Sequence, residues 1–223
     1  MELLLLAVAP SMIIMIYIYF KDKFEKEPFK LLLKNFLLGA IVSVGLTFLI
    51  GGYLGKLFGP LDRQSITDML IKAFVVVALV EEFSKYIIVR FVAQRNKEFD
   101  EPFDGIVYAV MVSMGFATLE NVLYVYSYGF QTGIVRAFTA VPAHATFAIL
   151  MGYYMGKAKF SNNRFLLNLM GLFMATLFHG AYDFFLFLQS VPGIAIGAFV
   201  SLVVGIVLSK KAMKKHQKNS LFR

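Results

Sequence analysis

Apolar runs of about 20 residues, separated by short charged connections, recur along the whole chain. A run of this length is what an α-helix needs to cross the hydrocarbon core of a bilayer, and it is too long for a typical strand. The pattern predicts seven membrane-spanning helices: Met1 to Phe20, Phe36 to Leu54, Ala73 to Ala93, Gly105 to Tyr128, Ala137 to Gly156, Phe165 to Leu188 and Pro192 to Ser209.

The composition agrees with an all-α, polytopic membrane helix bundle. Hydrophobic residues occupy 59% of the 223 positions and charged residues 16%, and the mean hydropathy is +0.71. Soluble domains are roughly 25% charged. Since no linker or repeat interrupts the pattern, we expect one transmembrane domain over residues 1–209 and a basic cytoplasmic tail over 210–223. The first run lacks a basic start and a cleavage site, which favours a retained helix over a signal peptide.

Basic residues are distributed unequally between the connections. Seventeen Lys and Arg residues fall on one side of the seven predicted helices, including the C-terminal tail, and four fall on the other. Because cytoplasmic loops of membrane proteins are enriched in Lys and Arg, we expect the N-terminus outside and the C-terminus in the cytoplasm. This placement explains the net charge of +8 without nucleic acid, so the expected partner is the lipid bilayer.

Away from the ends of the predicted spans, seven charged or imidazole side chains interrupt the apolar runs, where a charge costs at least ~2.5 kcal/mol. On four spans a carboxylate or imidazole group lies seven to nine residues from the predicted outer end, which at ~1.5 Å per residue is a depth of about 10 to 14 Å. A shared depth indicates one water-filled site rather than scattered structural polar groups. The seven residues are Glu81, Glu82, Lys85, Glu120, His144, His179 and Asp183.

Glu81, Glu82 and Lys85 form the densest group of charges in the spans. Adjacent helical residues diverge by ~100°, so the two glutamates cannot point identically, while Lys85 lies one turn from both. One carboxylate can then act as a general base while its neighbour is neutralised or bound. The alternative is a self-compensating ion pair that holds the bundle together.

The imidazoles suggest acid–base or metal chemistry. His179 and Asp183 are four residues apart on one helical face, the spacing at which a carboxylate fixes a histidine tautomer. His144 follows Pro142, whose missing backbone donor is expected to open the helix locally. Packing roles are the alternative for both histidines.

Two further patterns concern helix packing. Asn121 is typical of interhelical hydrogen bonding, but the adjacent Glu120 favours a functional role. The pairs Gly51–Gly55 and Gly152–Gly156 have the small-xxx-small spacing typical of close helix contacts.

Several protease chemistries are excluded. The chain has no cysteine and no His-Glu-x-x-His motif, and Asp183 is the only aspartate inside a predicted span. Aspartyl catalysis needs two carboxylates that share a proton. A glutamate-activated water remains, with or without a metal ion.

The ordered motifs resemble the PrsW family of bacterial membrane proteases, and more distantly the CAAX prenyl-protease and bacteriocin-immunity superfamily. They are Glu-Glu-x-x-Lys (Glu81, Glu82, Lys85), Phe-x-x-x-Glu-Asn (Phe116, Glu120, Asn121), the isolated His144, and His-x-x-x-Asp (His179, Asp183). The resemblance implies a multi-pass protease of the bacterial plasma membrane that makes the first, site-1 cut in a single-pass anti-sigma factor. That cut leads to release of a sigma factor under envelope stress.

The expected catalytic residues are Glu81, Glu82, His144 and His179. Glu81 or Glu82 activates water, and the histidines stabilise the oxyanion or protonate the leaving amine. The supporting residues are Lys85, Glu120, Asn121 and Asp183.

The leading mechanism requires no cofactor. In the second mechanism a divalent metal such as zinc is held by Glu82, His144 and His179, because two histidines and a glutamate form a known catalytic zinc set. A proton- or ion-coupled transporter and a noncatalytic scaffold are the alternative functions, since buried Glu, His and Asp also form proton relays.

Overall fold

The computed structural model describes residues 2–188, 190–220 and 222. Within these ranges all regular structure is helical, which confirms the all-α class. The helices are α1 (Glu2–Lys21), α2 (Phe29–Phe58), α3 (66–93), α4 (Asp104–Tyr128), α5 (Phe130–Phe138), α6 (Ala140–Lys159), α7 (Arg164–Phe187) and α8 (Ile196–Lys218).

Six helical segments in the described part of the chain are long and apolar enough to cross a bilayer: α1, α2, α4, the α5–α6 pair, α7 and α8. The expected third span falls on α3, whose charged residues separate it from those six by composition. A multi-pass membrane protein is confirmed. The count of seven spans and the orientation of the termini stay predictions.

Helix boundaries differ from the predicted spans at several points. α2 begins at Phe29 rather than Phe36, and α8 continues past Ser209 to Lys218. The expected fifth span begins at Ala140, after a break at Thr139 with φ −123° and ψ −73°. Pro142 therefore lies in the first turn of α6, where a helix has no backbone acceptor for its missing N–H. The expected opening of the helix at this proline is wrong.

α3 changes its hydrogen-bonding pattern along its length. Two π-helical stretches, Ile71–Leu79 and Val89–Ala93, flank the α-helical segment Val80–Ile88. π-Helical turns are rare and occur frequently at functional sites. The charged residues Glu81, Glu82 and Lys85 lie in the segment between them, and all three side chains are buried.

α4 lies at the centre of the bundle and packs against α1, α2 and α6, while α6 also packs against α7 and α8. Gly105 and Gly152 allow the close approach of α4 and α6, since a Cβ atom on Gly152 would lie 2.3 Å from the Gly105 carbonyl oxygen. The expected contact at Gly152 and Gly156 is confirmed. At Gly51 and Gly55 it is wrong, because a Cβ atom there would meet no described atom within 4 Å.

These two environments give a matched test of packing. Gly152→Ala is expected to destabilise the protein by about 1–3 kcal/mol, because the added methyl group overlaps the backbone of α4. Gly51→Ala meets open space and is expected to leave stability unchanged or slightly raised, since alanine favours the helix. Thermal unfolding in detergent measures both. Equal losses of stability would contradict the α4–α6 contact.

Three connections rich in basic residues meet at one end of the bundle. The Lys159 ammonium donates to the carbonyl of Gln94 at 2.9 Å, which joins the end of α6 to the α3–α4 loop. Gln217 on α8 donates to the carbonyl of Lys21 at the end of α1. The segments expected to share the cytoplasmic side thus share one end of the molecule.

Six carboxyl groups cluster at that end. Burial and the neighbouring Asp104 carboxylate raise the pKa of Glu27 to about 10, and the Tyr108 hydroxyl donates to Glu27. Burial and the Glu101 charge raise the pKa of Asp22 to about 7. The six carboxyl groups belong to Asp22, Glu25, Glu27, Asp100, Glu101 and Asp104.

The raised pKa values predict that the fold weakens as pH rises. Glu27 and Asp22 bind protons more tightly in the folded than in the unfolded chain. The favourable contribution of Glu27 is therefore complete below its ordinary pKa of 4.5 and is lost as pH rises towards about 10. We expect the melting temperature to fall from about pH 5 to about pH 9, and Glu27→Gln to make that fall shallower.

The matched control is Glu2→Gln, because Glu2 is exposed at the start of α1, a helix length away from these acids. This variant is expected to keep the wild-type slope of melting temperature against pH. An unchanged slope in Glu27→Gln would show that Glu27 is not the titrating group.

Candidate functional site

The site begins with the buried charges of α3. The Lys85 ammonium donates to Glu82 Oε1 at 2.7 Å and lies 3.4 Å from Glu81 Oε2. The two glutamates differ in access: Glu81 is 7% exposed and lines two cavities, whereas Glu82 is fully buried. Adjacent carboxylates on one helix thus have separate surroundings, as their angular divergence predicts.

His179 on α7 lies between two carboxylates. Its Nδ1 is 2.9 Å from Glu82 Oε1, and its Nε2 is 3.3 Å from Asp183 Oδ2 one turn along the helix. The ring of Phe147 stacks on the imidazole with centroids 4.9 Å apart. These contacts fix the position and rotation of the ring.

His144 on α6 has a similar arrangement. Its Nε2 lies 3.0 Å from Glu120 Oε2 on α4, and its Nδ1 lies 3.3 Å from the Lys85 ammonium. The Ser113 hydroxyl donates to the His144 carbonyl at 3.0 Å, which ties α4 to the backbone of the histidine. Both imidazoles therefore have Nε2 against a carboxylate and Nδ1 directed towards the charges of α3.

Arg136 on α5 organises the Glu120 side of the site. Its Nη2 donates to Glu120 Oε2 at 2.6 Å, its Nε donates to Asn121 Oδ1 at 2.8 Å, and its guanidinium lies 3.9 Å from the Tyr124 ring centroid. Asn121 is fully buried and also donates to the Ala7 carbonyl. Asn121 thus supports the site from behind and does not line its cavities.

Arg136 is the main participant that sequence reasoning missed. It is 16 residues from Glu120, a separation that carries no helical signal. Its one distinguishing feature is that it is among the four basic residues on the charge-poor side of the predicted spans.

The site opens into a cavity of about 560 Å³. Glu81, Glu120, His144, His179 and Asp183 all line it. Polar side chains from α3, α4, α6 and α7 therefore converge on one space, as expected from their common depth. That space is large enough for several water molecules or a short extended segment of peptide.

The residues present fit a metal ion. Glu81, Glu82, His144 and His179 each offer a ligand atom, and these four atoms lie within 4.8 Å of one another. Glu82 Oε2 is buried and has no hydrogen-bond partner in the described chain. A carboxylate behind each ring is the usual outer partner of a metal-binding histidine.

The charge of the site also fits a divalent ion. The ion-pair network itself contains four carboxylates and two fixed cations, Lys85 and Arg136, which leaves two negative charges when the imidazoles are neutral. Arg63 and Lys72 line the same cavity but form no ion pair with these carboxylates among the described contacts. Burial in apolar surroundings makes such an imbalance costly unless a cation or protons compensate it. Two protonated histidines provide the same compensation without a metal.

Comparison with known proteins agrees with this geometry. Residues 27–209 match the model of the PrsW family intramembrane metalloprotease. The chain is 37% identical to Protease PrsW of Geobacillus kaustophilus over 209 residues, which cover 93% of this chain and 90% of that protein. Protease PrsW of Clostridioides difficile is 39% identical over 85% of this chain and 81% of its own length, and that of Bacillus subtilis is 34% identical over 80% of each chain. No solved structure gave a significant match. Because the family match spans most of the chain and its relatives align over most of their own lengths, this chain belongs to the PrsW family of intramembrane metalloproteases.

Proposed function

We propose that this protease makes the site-1 cut in a single-pass anti-sigma factor of the bacterial plasma membrane, and so starts release of a sigma factor under envelope stress. The observation that carries the proteolytic part is the convergence of two glutamates and two histidines beside an open cavity within a helical membrane protein. The substrate class is what the family resemblance of the ordered motifs implies.

The surroundings of the two glutamates support different roles. Glu81 lines the cavity and is not hydrogen-bonded to either histidine among the described contacts, so we assign it as the general base. Glu82 lies against His179 and has an unpartnered buried oxygen, so we assign it with both histidines to hold the metal.

In this mechanism Glu81 accepts a proton from the attacking water as the water oxygen bonds to the scissile carbonyl carbon. It then delivers that proton to the peptide nitrogen as the carbon–nitrogen bond breaks, so the base is regenerated. Lys85 is close enough to Glu81 to stabilise the carboxylate form that accepts the proton. Asp183 and Glu120 orient His179 and His144 through Nε2.

A divalent ion bound by Glu82, His144 and His179 would polarise the carbonyl and acidify the attacking water. The family description favours this metal-assisted mechanism. The metal-free mechanism, which was the leading hypothesis from the sequence, becomes the alternative. In the metal-free alternative the same histidines are protonated and face the developing oxyanion.

The direct test is cleavage in proteoliposomes. Purified protein is combined with a single-pass anti-sigma factor, and the products are identified by mass spectrometry. We expect one cut near the end of the substrate helix that faces the outside. A reconstituted protein that drives ion flux and leaves the substrate intact would favour the transporter and overturn the proposal.

Arg136→Lys tests the support behind His144. Lysine keeps the positive charge but lacks the planar guanidinium whose Nη2 and Nε bond Glu120 and Asn121 separately, so cleavage is expected to fall about 10- to 100-fold. Arg95→Lys is the control, because Arg95 contacts the Phe91 ring away from the site. Kinetics in proteoliposomes measure both variants, and equal rates would remove Arg136 from the site.

A further inference from the structure

A second cavity lies beside Glu81 and Glu120, the two glutamates that line the first cavity. It has a volume of about 280 Å³, and Glu81, Glu120 and Tyr124 line both it and the 560 Å³ cavity. We call it the α2/α4 groove. Its remaining lining residues are Val44, Thr47 and Phe48 of α2 and Phe116, Leu123, Ser127 and Tyr128 of α4.

The groove exists because α2 departs from α4 along its length. In the first half of α2, a Cβ atom on Gly39 would lie 1.9 Å from the Val112 carbonyl oxygen, so the helices touch through their backbones. The second half, Val44–Phe58, hardly contacts α4 and packs mainly against α3, where Thr47 Oγ1 lies 3.1 Å from Ser84 Oγ. The two helices are therefore separated beyond residue 43, and Glu81 lines the space between them.

The two cavities differ in the chemistry of their walls. Apart from the shared glutamates, the side chains around the α2/α4 groove are uncharged, and Phe48 and Tyr128 are strongly exposed. The 560 Å³ cavity adds Arg63, Lys72 and Arg136 to the shared residues. An exposed apolar wall favours contact with lipid or a membrane helix. A wall with basic groups favours water and an extended polypeptide segment whose backbone needs polar partners.

We propose that the α2/α4 groove is the port through which the transmembrane helix of a substrate reaches Glu81. This rests on the proposed function, since it assigns the route of the same substrate to the same site. The helix docks against α2 and α4 from the lipid. Its end unwinds across Glu81 and Glu120, and the released chain occupies the wider, basic cavity.

A larger apolar cavity offers a rival route. It has a volume of about 640 Å³ and lies between α1 and the α5–α6 pair, with Ile13 and Phe138 in its wall. No carboxylate or histidine of the site lines it. A helix docked there would be separated from Glu81, so continuity with the catalytic carboxylates favours the smaller groove.

Disulfide crosslinking can distinguish the two routes, because the chain contains no cysteine. Phe48→Cys places a thiol in the α2/α4 groove, and Ile13→Cys places one in the rival cavity; the native side chains are 64% and 66% exposed. Each is combined with Glu81→Gln to hold uncleaved substrate. The probe is the single-pass anti-sigma factor with one cysteine in the outer third of its transmembrane segment.

We expect oxidation to join this substrate to the Phe48→Cys protein at least ~10-fold more than to the Ile13→Cys protein. Preferential crosslinking to Ile13→Cys, equal crosslinking to both, or a disulfide between two copies of Phe48→Cys protein would overturn the port. Cleavage by the wild-type protein is assayed in parallel. Absence of cleavage would count against the proposed function, whereas cleavage without crosslinking at Phe48→Cys would count against the port alone.

A blocking variant gives an independent readout. Ser127 is exposed and lines the α2/α4 groove, so Ser127→Trp puts an indole in the port without requiring room in the core. We expect cleavage to slow by at least ~10-fold, mainly through a higher KM. Tyr126→Trp, exposed on another face of α4, is the control and is expected to cleave normally. Unimpaired cleavage by Ser127→Trp would overturn the port.

Discussion

Replacing Glu81 with glutamine is expected to reduce peptide-bond cleavage by at least ~10²- to 10⁴-fold, the range that general acid–base catalysis contributes. Glutamine matches the size of glutamate and can still contact Lys85, but it cannot accept a proton from water. Because Glu81 lies on the cavity wall rather than inside the histidine network, the fold and the arrangement of Glu82, His144 and His179 should persist. The measurement is single-turnover cleavage in proteoliposomes.

Two measurements make this result specific to a base. Glu98→Gln makes the same chemical change at a half-exposed position in the α3–α4 loop and is expected to cleave at the wild-type rate. The melting temperature and bound metal of Glu81→Gln are expected to match wild type. A Glu81→Gln protein with full activity would transfer the role of base elsewhere, with Glu82 as the nearest carboxylate.

The location of the site was predictable because the membrane makes polar residues conspicuous. In a soluble protein many other positions are charged, so the sequence would not distinguish the four residues Glu81, Glu120, His144 and His179. Inside apolar spans each one is costly, and counting residues from the predicted helix ends gave them similar depths. That reasoning needs no knowledge of how the helices are arranged. The structure accordingly brings all four side chains to one cavity.

Pairwise contacts were less predictable than depth. The hydrogen bonds from Arg136 to Glu120 and Asn121 depend on the position of α5. This short helix ends at the break at Thr139. Hydropathy treats that region as the edge of a span and cannot fix its direction. The same pattern also has different outcomes in different places. Gly152 lies against backbone and Gly51 in open space, although both begin a small-xxx-small pair.

The separation of α2 from α4 is a second feature that the sequence could not predict. Spacing along one helix shows which residues share a face, but it does not show whether a neighbour covers that face. The α2/α4 groove arises because residues 29–43 pack along α4 while Val44–Phe58 hardly contacts it. A tertiary arrangement of this kind decides which carboxylate a substrate can reach.

Removal of divalent metal is expected to lower the rate of cleavage by at least ~10²-fold, and added zinc is expected to restore that rate. The unpartnered Glu82 Oε2 and the excess of carboxylates within the ion-pair network both point to a bound cation. If protonated histidines compensate instead, a chelator should leave the rate unchanged. Chelation therefore separates the two mechanisms in one preparation.

Metal content provides a readout that does not depend on activity. Elemental analysis of purified protein is expected to find about one divalent ion per chain, and His179→Gln and Glu82→Gln are expected to lose it. Asp183→Asn should bind metal about 10- to 100-fold more weakly, because Asp183 only orients His179. Glu81→Gln, by contrast, should keep the ion and lose cleavage. If His179→Gln retained full metal content, the assignment of Glu82, His144 and His179 as ligands would fail, even though Glu81 could remain the base.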